Sequence, residues 1–423
     1  MDTIFHKLKL IISDEVLRNR VLFVLGALIV FRALAVIPIP GVDAAMLAQF
    51  FSQNQFLGLL NLFSGGGLSN LSIVMLGVGP YITASIIMQL LTVMSPKMKS
   101  MYSEEGDAGR KKFSQYSRLL TLPLATLQGF SFLMLLETQG IVSHLSTFQF
   151  IMNVVVVVAG SMLLMWLGEL VTEFGIGNGV SIIIFAGIVA ALPQMIGQLL
   201  FSFDVSQAPL YLACVAAAMA VIAAVVVMTE AERPVPITYA KQVRGGETYG
   251  GVSTYLPLRL NQAGVIPIIF ALSILLFPQM ILNILSYLDI QGVSEWSAKL
   301  TEITQNQWLY AAVYFVLVFL FTYFYTAVTF DPDAMSKNLQ RSGAFIPGVR
   351  PGTHTSEHIA NIITRLTFVG AIFLGFIAVL PLVMQALTGI TALAIGGTAL
   401  LIVVNVVLDL IRRIDSQISM REY

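Results

Sequence analysis

Charge is scarce in this chain: Asp, Glu, Lys and Arg make up 11% of its 423 residues, against 57% hydrophobic residues. A soluble domain carries about 25% charged residues, so the composition excludes one and asks for a membrane. Cysteine is scarcer still. Cys214 stands alone inside an apolar run, which excludes a disulfide framework and leaves no redox evidence. Ionisable groups are also missing where an ion-coupled carrier needs them. Within the apolar runs only Arg32 lies deep, while Glu137, Glu169, Glu173, Glu230 and Asp409 stand at run ends. A charge at membrane depth costs on the order of 3 kcal/mol and is retained where protons or ions are handled. Its lack argues against an ion-coupled small-solute transporter, the rival from the carrier class. No nucleotide motif and no Ser/His/Asp or Cys/His arrangement occurs, so neither an enzyme nor a cofactor is expected.

Long apolar runs are what the chain does have. Windows of about 20 residues, the length that crosses a bilayer as a helix, pick out ten spans. They lie near 21–39, 73–94, 119–137, 150–172, 180–200, 209–229, 264–286, 308–329, 364–386 and 391–411. No strand-like alternation stands out, and the runs favour helices over a barrel. The expected class is an all-α integral membrane protein with ten transmembrane helices. Arg32 interrupts what would be the apolar core of a cleaved signal peptide, so the first run reads as a span. With the N-terminus inside, the cytoplasmic segments hold 21 of the 23 Lys and Arg, and the outer loops hold only Lys299. The positive-inside rule then puts both termini in the cytoplasm.

The large loops, 95–118, 230–263 and 330–363, face the cytoplasm, and two carry turn-former clusters, RGGETYGG (244–251) and IPGVRPGTHT (346–355). Loops of this length are usually functional. A solvated basic rim and a docking platform both fit, and charge does not choose between them. The outer side offers a different anomaly. Leu62–Leu91 begins with three consecutive glycines (Gly65, Gly66, Gly67) among apolar residues and continues as an apolar helix. Irregular backbone at membrane depth is tolerated only where protein buries it or it lines a watery cavity. The segment is a candidate for something that sits in a pore.

Two motifs read as decoys. His354-Thr-Ser-Glu-His358 matches the H-x-x-E-H pattern of inverted zinc proteases. Zinc would need it on a helix with a third ligand. It follows Pro351-Gly352 at a loop edge, and the remaining histidines are His6 and His144, so a chance match is expected over an intramembrane metalloprotease. Gly175-Ile-Gly-Asn-Gly179 resembles a phosphate-cradling turn, but no strand precedes it. It reads as a tight turn between the fourth and fifth spans.

Several long motifs resemble the SecY/translocon family of channel-forming protein translocase subunits. They are SIVMLGVGPYITASIIMQLL (72–91), FRALAVIPIPGVDA (31–44), NLFSGGGLS (61–69), MWLGELVTEFGIGNGVSIIIFAGIVA (165–190), NQAGVIPIIFA (261–271) and SGAFIPGVRPG (342–352). The resemblance spans essentially the whole chain. It implies an hourglass channel in the bacterial inner membrane, passing unfolded secretory polypeptides and releasing membrane segments sideways into lipid. Its two pseudo-symmetric halves would be residues 21–200 and 201–411, between an N-terminal segment (1–20) and a tail (412–423).

Carried over by residue, the resemblance implies a pore ring of Val78, Ile82, Val180, Ile184, Ile269 and Ile402. Two of these are valine where the family commonly has isoleucine, which widens the waist slightly. The implied plug is a short helix over 61–71, with Leu62, Phe63, Gly65, Gly66, Gly67 and Leu68. Its glycines suit a mobile element, since each lowers helix propensity by about 1 kcal/mol. The implied lateral gate carries Thr83, Gln128 and Asn261, and the implied docking residues are Arg350, Arg244 and Arg259. The implied partners are SecE-like and SecG-like small membrane subunits, the SecA motor ATPase or a translating ribosome, and precursor proteins. The chain departs from the family pattern at Glu230-Ala-Glu-Arg-Pro, where adjacent arginines are usual, at Phe174 and in a short tail. An accessory translocase paralogue with a narrower substrate range is the alternative these departures raise.

Overall fold

The structure is a computed structural model that describes residues 13–40, 61, 64, 66–68, 70–103, 105–138, 140–142, 146–201, 208–239, 242–244, 247–249, 253–275, 306–388 and 391–419. Helices dominate it. First come α1 (Glu15–Val36), α2 (Gly79–Met94), the short α3 (Pro96–Ser103), α4 (Gly106–Thr138), α5 (Thr147–Phe174), α6 (Gly179–Phe201) and α7 (Ala208–Glu230). After a β-rich stretch follow α8 (Ile266–Leu275), α9 (Gln307–Thr329), α10 (Pro332–Arg341), α11 (Thr353–Thr388) and α12 (Thr391–Ser419). Six of the described helices (α1, α4, α5, α7, α9 and α11) are long and apolar enough to cross a membrane. Shorter apolar stretches lie in α2, α6 and α8. The protein is a multi-pass membrane protein.

Polar residues set where these helices start. Asp14 caps α1, its Oδ1 accepting from the backbone N–H of Val16 at 2.9 Å and of Leu17 at 3.0 Å. Ser146 and Gln149 form a reciprocal capping box at the head of α5. Each satisfies donors that the first turn leaves unpaired. The flanks of the helices expose large apolar side chains such as Leu22, Ile29, Val155, Leu212, Met219 and Phe376. Broad apolar surface of this kind belongs to a protein whose solvent is lipid.

Two expectations need correction. The second span is not helical from residue 73. Residues 73–78 are turns, and α2 begins at Gly79. Gly77 has φ +57, a left-handed conformation that no helix continues through, and Pro80 in the first turn of α2 marks a start. The fold is also not purely α-helical. Strands β1 (Glu232–Tyr239), β2 (Gln242–Arg244), β3 (Glu247–Tyr249), β4 (Ser253–Arg259) and β5 (Ala344–Phe345) occupy two of the long loops. β1 pairs antiparallel with β4, aligning Val235 with Leu256, and with β5, aligning Tyr239 with Ala344. β2 and β3 make a separate small hairpin. Pro234, Pro236 and Pro257 hide the strands in the sequence, because proline usually marks a break or an edge. Val235, Ile237 and Leu258 bury one face against Ile359, Ile362 and Ile363 of α11, and that apolar face makes the sheet worth forming.

The sheet ties the 230–263 and 330–363 loops into one body. Elsewhere Leu17 of α1, Ile176 in the α5–α6 turn and Ile418 of α12 form one cluster, so the two ends of the described chain lie on the same side.

Candidate functional site

Four helices deliver aliphatic side chains to one place. Val78 is the N-cap residue of α2, and Ile82 follows one turn later, its N–H donating to the Val78 carbonyl at 3.1 Å. Val180 and Ile184 lie a turn apart at the start of α6, Ile269 on α8 and Ile402 on α12. Val78, Ile82, Ile184, Ile269 and Ile402 share one buried cluster, and Val180 packs against it. The α5–α6 turn brings Val180 there. Gly177 takes φ +88, and a Cβ at Gly179 would stand 1.9 Å from the Gly168 carbonyl oxygen, so only glycine lets the two helices approach this closely. The Gly179 N–H donates to Thr172 Oγ1 at 2.9 Å, and Asn178 Oδ1 accepts from the Ser181 N–H at 3.2 Å. This is the tight turn the spacing predicted.

A cavity of about 470 Å³ opens against Ile82, Val180, Ile184 and Ile269. Its other walls include Tyr81, Gln89, Arg118, Glu169, Glu173 and Asn178. Arg118 Nε donates to Glu169 Oε1 at 2.6 Å, joining α4 to α5 on the wall. Water wets the polar part of such a lining and is repelled by its aliphatic part, and a narrow apolar constriction resists ions without charged groups. No positional signal in the sequence singled out Arg118, Glu169 or Tyr81. Arg118 counted only among the basic loop residues and Glu169 only as a charge at a span end.

The glycine-rich segment leads into this site. Leu62, Phe63 and Gly65 lie outside the described residues. Within 61–71 Asn61 is helical, and residues 64, 66–68, 70 and 71 form turns where a short helix is expected. Ser64 Oγ donates to the Asn61 carbonyl at 3.0 Å and accepts from the Leu68 N–H at 3.0 Å. Gly66 needs its φ of +81, and a Cβ at Gly67 would meet Ser72 Oγ at 2.8 Å. These glycines are therefore set by conformation and close packing as well as by low helix propensity. Leu68 is buried with Leu71 and Met75. Beyond it the chain is stitched to the end of α1, the Ile39 N–H donating to the Leu71 carbonyl at 2.8 Å and the Ile73 N–H to the Ile37 carbonyl at 3.0 Å.

Thr83, Gln128 and Asn261 are all buried. The Thr83 hydroxyl donates to the Gly79 carbonyl of its own helix at 3.0 Å. Asn261 Oδ1 is buried with no hydrogen-bond partner among the described residues.

A family model described as SecY matches residues 72–411. The chain belongs to the SecY family. It is 42% identical over 417 residues to the protein translocase subunit SecY of Vibrio cholerae serotype O1, covering 96% of this chain and 93% of that relative. Against the SecY of Mycobacterium tuberculosis strain H37Rv the identity is 41% over 427 residues, 96% of each chain. Among solved structures it is similar to a protein-conducting channel, with a TM-score of 0.66 at 18% identity over 95% of this chain and 93% of that one. It is also similar to Sec61 in the canine ribosome–channel complex of the endoplasmic reticulum, with a TM-score of 0.62 at 18% identity and the same coverage. In another SecY protein of the same fold, the plug domain stabilises the closed state of the translocation channel and maintains a membrane seal.

On the loop side of this SecY-family chain, Arg350 is exposed in the turn after β5, and its carbonyl accepts from Thr355 Oγ1 at 2.9 Å. Arg259 is exposed at the end of β4, opposite Glu232. Arg244 ends β2 opposite Glu247, and its side chain lies outside the description. His354 and His358 correct another expectation. They lie in the first turns of α11, not at a loop edge, because Gly352 at φ +104 turns the chain directly into the helix. Among the described residues no group of three His, Cys, Asp or Glu gathers there or elsewhere to hold a metal.

Proposed function

We propose that this chain is the central pore subunit of a protein-conducting channel, with Val78, Ile82, Val180, Ile184, Ile269 and Ile402 as its waist. The observation that carries this reading is that five of those residues share one buried cluster with Val180 packed against it, and that four of them, Ile82, Val180, Ile184 and Ile269, line one cavity in a SecY-family chain. Aliphatic side chains are indifferent to the sequence that passes them, and a narrow apolar constriction blocks ions without any charged group. Asn61–Leu71 acts as the plug on the outer side. Thr83, Gln128 and Asn261 line a sideways gate, and with Thr83 bonded within its own helix and Asn261 Oδ1 unpartnered, little polar bonding there opposes entry of an apolar signal sequence.

Ten spans in two halves, 21–200 and 201–411, surround the pore in the bacterial inner membrane. Two points support cytoplasmic termini: the two ends of the described chain share one cluster, and with the N-terminus inside 21 of the 23 Lys and Arg fall in cytoplasmic segments. Arg350, Arg259 and Arg244 on the sheet-bearing loops receive a SecA-type motor or a ribosome, and SecE-like and SecG-like subunits complete the channel. Energy comes from these partners. Reconstituting the full chain with its small subunits and motor should give ATP-dependent protection of a secretory precursor from protease. An active motor with no protected precursor would refute the assignment.

A further inference from the structure

We propose that Gly160 and Ser161 of α5, which are not among the waist residues, are positioning residues that fix where Val78 stands and so set the resting width of the pore. The inference rests on reading Val78 as a waist residue. It begins with the irregular stretch 72–78. Backbone at membrane depth that is not helical must have its polar groups met by protein. Most of this stretch meets its own needs in tight turns. The Met75 N–H donates to the Ser72 carbonyl at 2.9 Å, that of Gly77 to Val74 at 2.8 Å and that of Gly79 to Leu76 at 3.2 Å.

The Gly77 carbonyl, immediately before Val78, is met from elsewhere. It accepts from Ser161 Oγ at 3.0 Å, a side chain 84 residues away in sequence and 1% exposed. One residue earlier on α5, Gly160 admits the Ile73 carbonyl. A Cβ at residue 160 would stand 2.0 Å from the Ile73 oxygen, 2.8 Å from the Ile73 carbonyl carbon and 3.3 Å from Val74 Cγ1. The first two are backbone atoms, so a side chain there could be accommodated only by moving the 73–74 backbone or α5. Small residues serve this purpose between membrane helices, where backbones approach closely and hydroxyls meet carbonyls across the gap.

The stretch therefore hangs from α5 at two points, Ile73 and Gly77, and Val78 follows the second point directly. Val78 is 0% exposed within the buried cluster, and as the N-cap residue of α2 it offers the helix start no side-chain hydrogen bond. Its backbone position follows that of Gly77. Loss of either contact on α5 moves a waist residue without altering any residue of the waist.

The test uses the full chain reconstituted with its small membrane subunits in liposomes, with ion flux in the absence of precursor as the readout. Ser161→Val and Ser161→Thr add the same methyl group and differ only in the hydroxyl, which Ser161→Thr keeps and Ser161→Val loses, and Gly160→Ala adds the clashing carbon. Val78→Gly is the control for the waist itself. Ser161→Val should raise resting flux roughly five- to thirty-fold, the population shift that loss of one buried hydrogen bond allows. Gly160→Ala should raise it at least as far, and Ser161→Thr should restore tightness while thermal midpoints stay near the parent. If Val78→Gly leaks while Ser161→Val stays tight, the positioning role is wrong and the waist stands. Equal leakage from Ser161→Thr and Ser161→Val also overturns it, because the hydroxyl would then be irrelevant. A tight Val78→Gly channel removes the waist reading and this inference with it. Should Gly160→Ala fail to fold, the Ser161 pair decides alone.

Discussion

Arg118 Nε and Glu169 Oε1 meet at 2.6 Å on the wall of the cavity that Ile82, Val180, Ile184 and Ile269 also line. The pair joins α4 to α5 inside a space open to water, and the two side chains are 46% and 18% exposed. Exposed ion pairs contribute little, because water screens the charges and two long side chains lose freedom. A double-mutant cycle with Arg118→Met and Glu169→Gln should therefore give a coupling below ~1 kcal/mol by thermal unfolding in detergent. A coupling several times larger would mean that the cavity is dry in the resting protein.

The proposed gate gives a prediction with a definite sign. Asn261 Oδ1 is buried without a partner, while Thr83 satisfies its hydroxyl on its own helix. An unsatisfied buried acceptor costs about 1–3 kcal/mol. Asn261→Leu removes that cost from the closed state and should hold the gate shut more firmly. Precursors with a graded series of signal sequences should then need a more hydrophobic signal for half-maximal translocation. An unshifted threshold would take Asn261 out of the gate.

Much of the fold was legible because the bilayer imposes a length and a polarity on every crossing. Hydropathy alone found the runs that α1, α4, α5, α7, α9 and α11 occupy. It failed where a different physical rule governs. Residues 73–78 are as apolar as any helix, but Gly77 at φ +57 and Pro80 postpone the helix to Gly79. The β1–β4 ladder was invisible because Pro234, Pro236 and Pro257 interrupt the alternation of Val235, Ile237 and Leu258. In the site, Val78 and Ile82 are spaced i,i+4 as Val180 and Ile184 are, but Val78 sits at the helix cap and the carbonyl before it is met by a side chain 84 residues away in sequence. Long-range contacts of that kind leave no periodic trace.

The glycines before α2 can be tested one at a time. Gly66 at φ +81 is in the left-handed region, where a Cβ costs about 1–2 kcal/mol. At Gly67 a Cβ would lie 2.8 Å from Ser72 Oγ and 3.1 Å from the carbonyl oxygens of Ser64 and Val74. Gly66→Ala and Gly67→Ala should each loosen the segment and raise ion flux through the resting channel, and deleting 62–70 should raise it further while the protein still folds. A deletion that stays tight would reduce the segment to a hinge.

Arg350 offers the cleanest separation of docking from folding. Its side chain is exposed, while its backbone carbonyl holds Thr355 Oγ1 at 2.9 Å at the head of α11. A side-chain substitution leaves that bond in place, and surface changes away from such features usually stay within about 0.5 kcal/mol. Arg350→Glu should therefore leave the thermal midpoint and the resting ion seal as they are, because the proposed waist lies on α2, α6, α8 and α12. It should sharply reduce motor-driven translocation, because a charge reversal repels an acidic or phosphate-bearing partner and slows its capture. Arg350→Lys keeps the charge but loses the planar fork and should fall between the two. Precursor protection measured over a range of motor concentrations separates the causes. Recovery at high motor concentration identifies a docking defect, and a variant indistinguishable from the parent at every concentration would show that the partner is received elsewhere on the sheet-bearing loops.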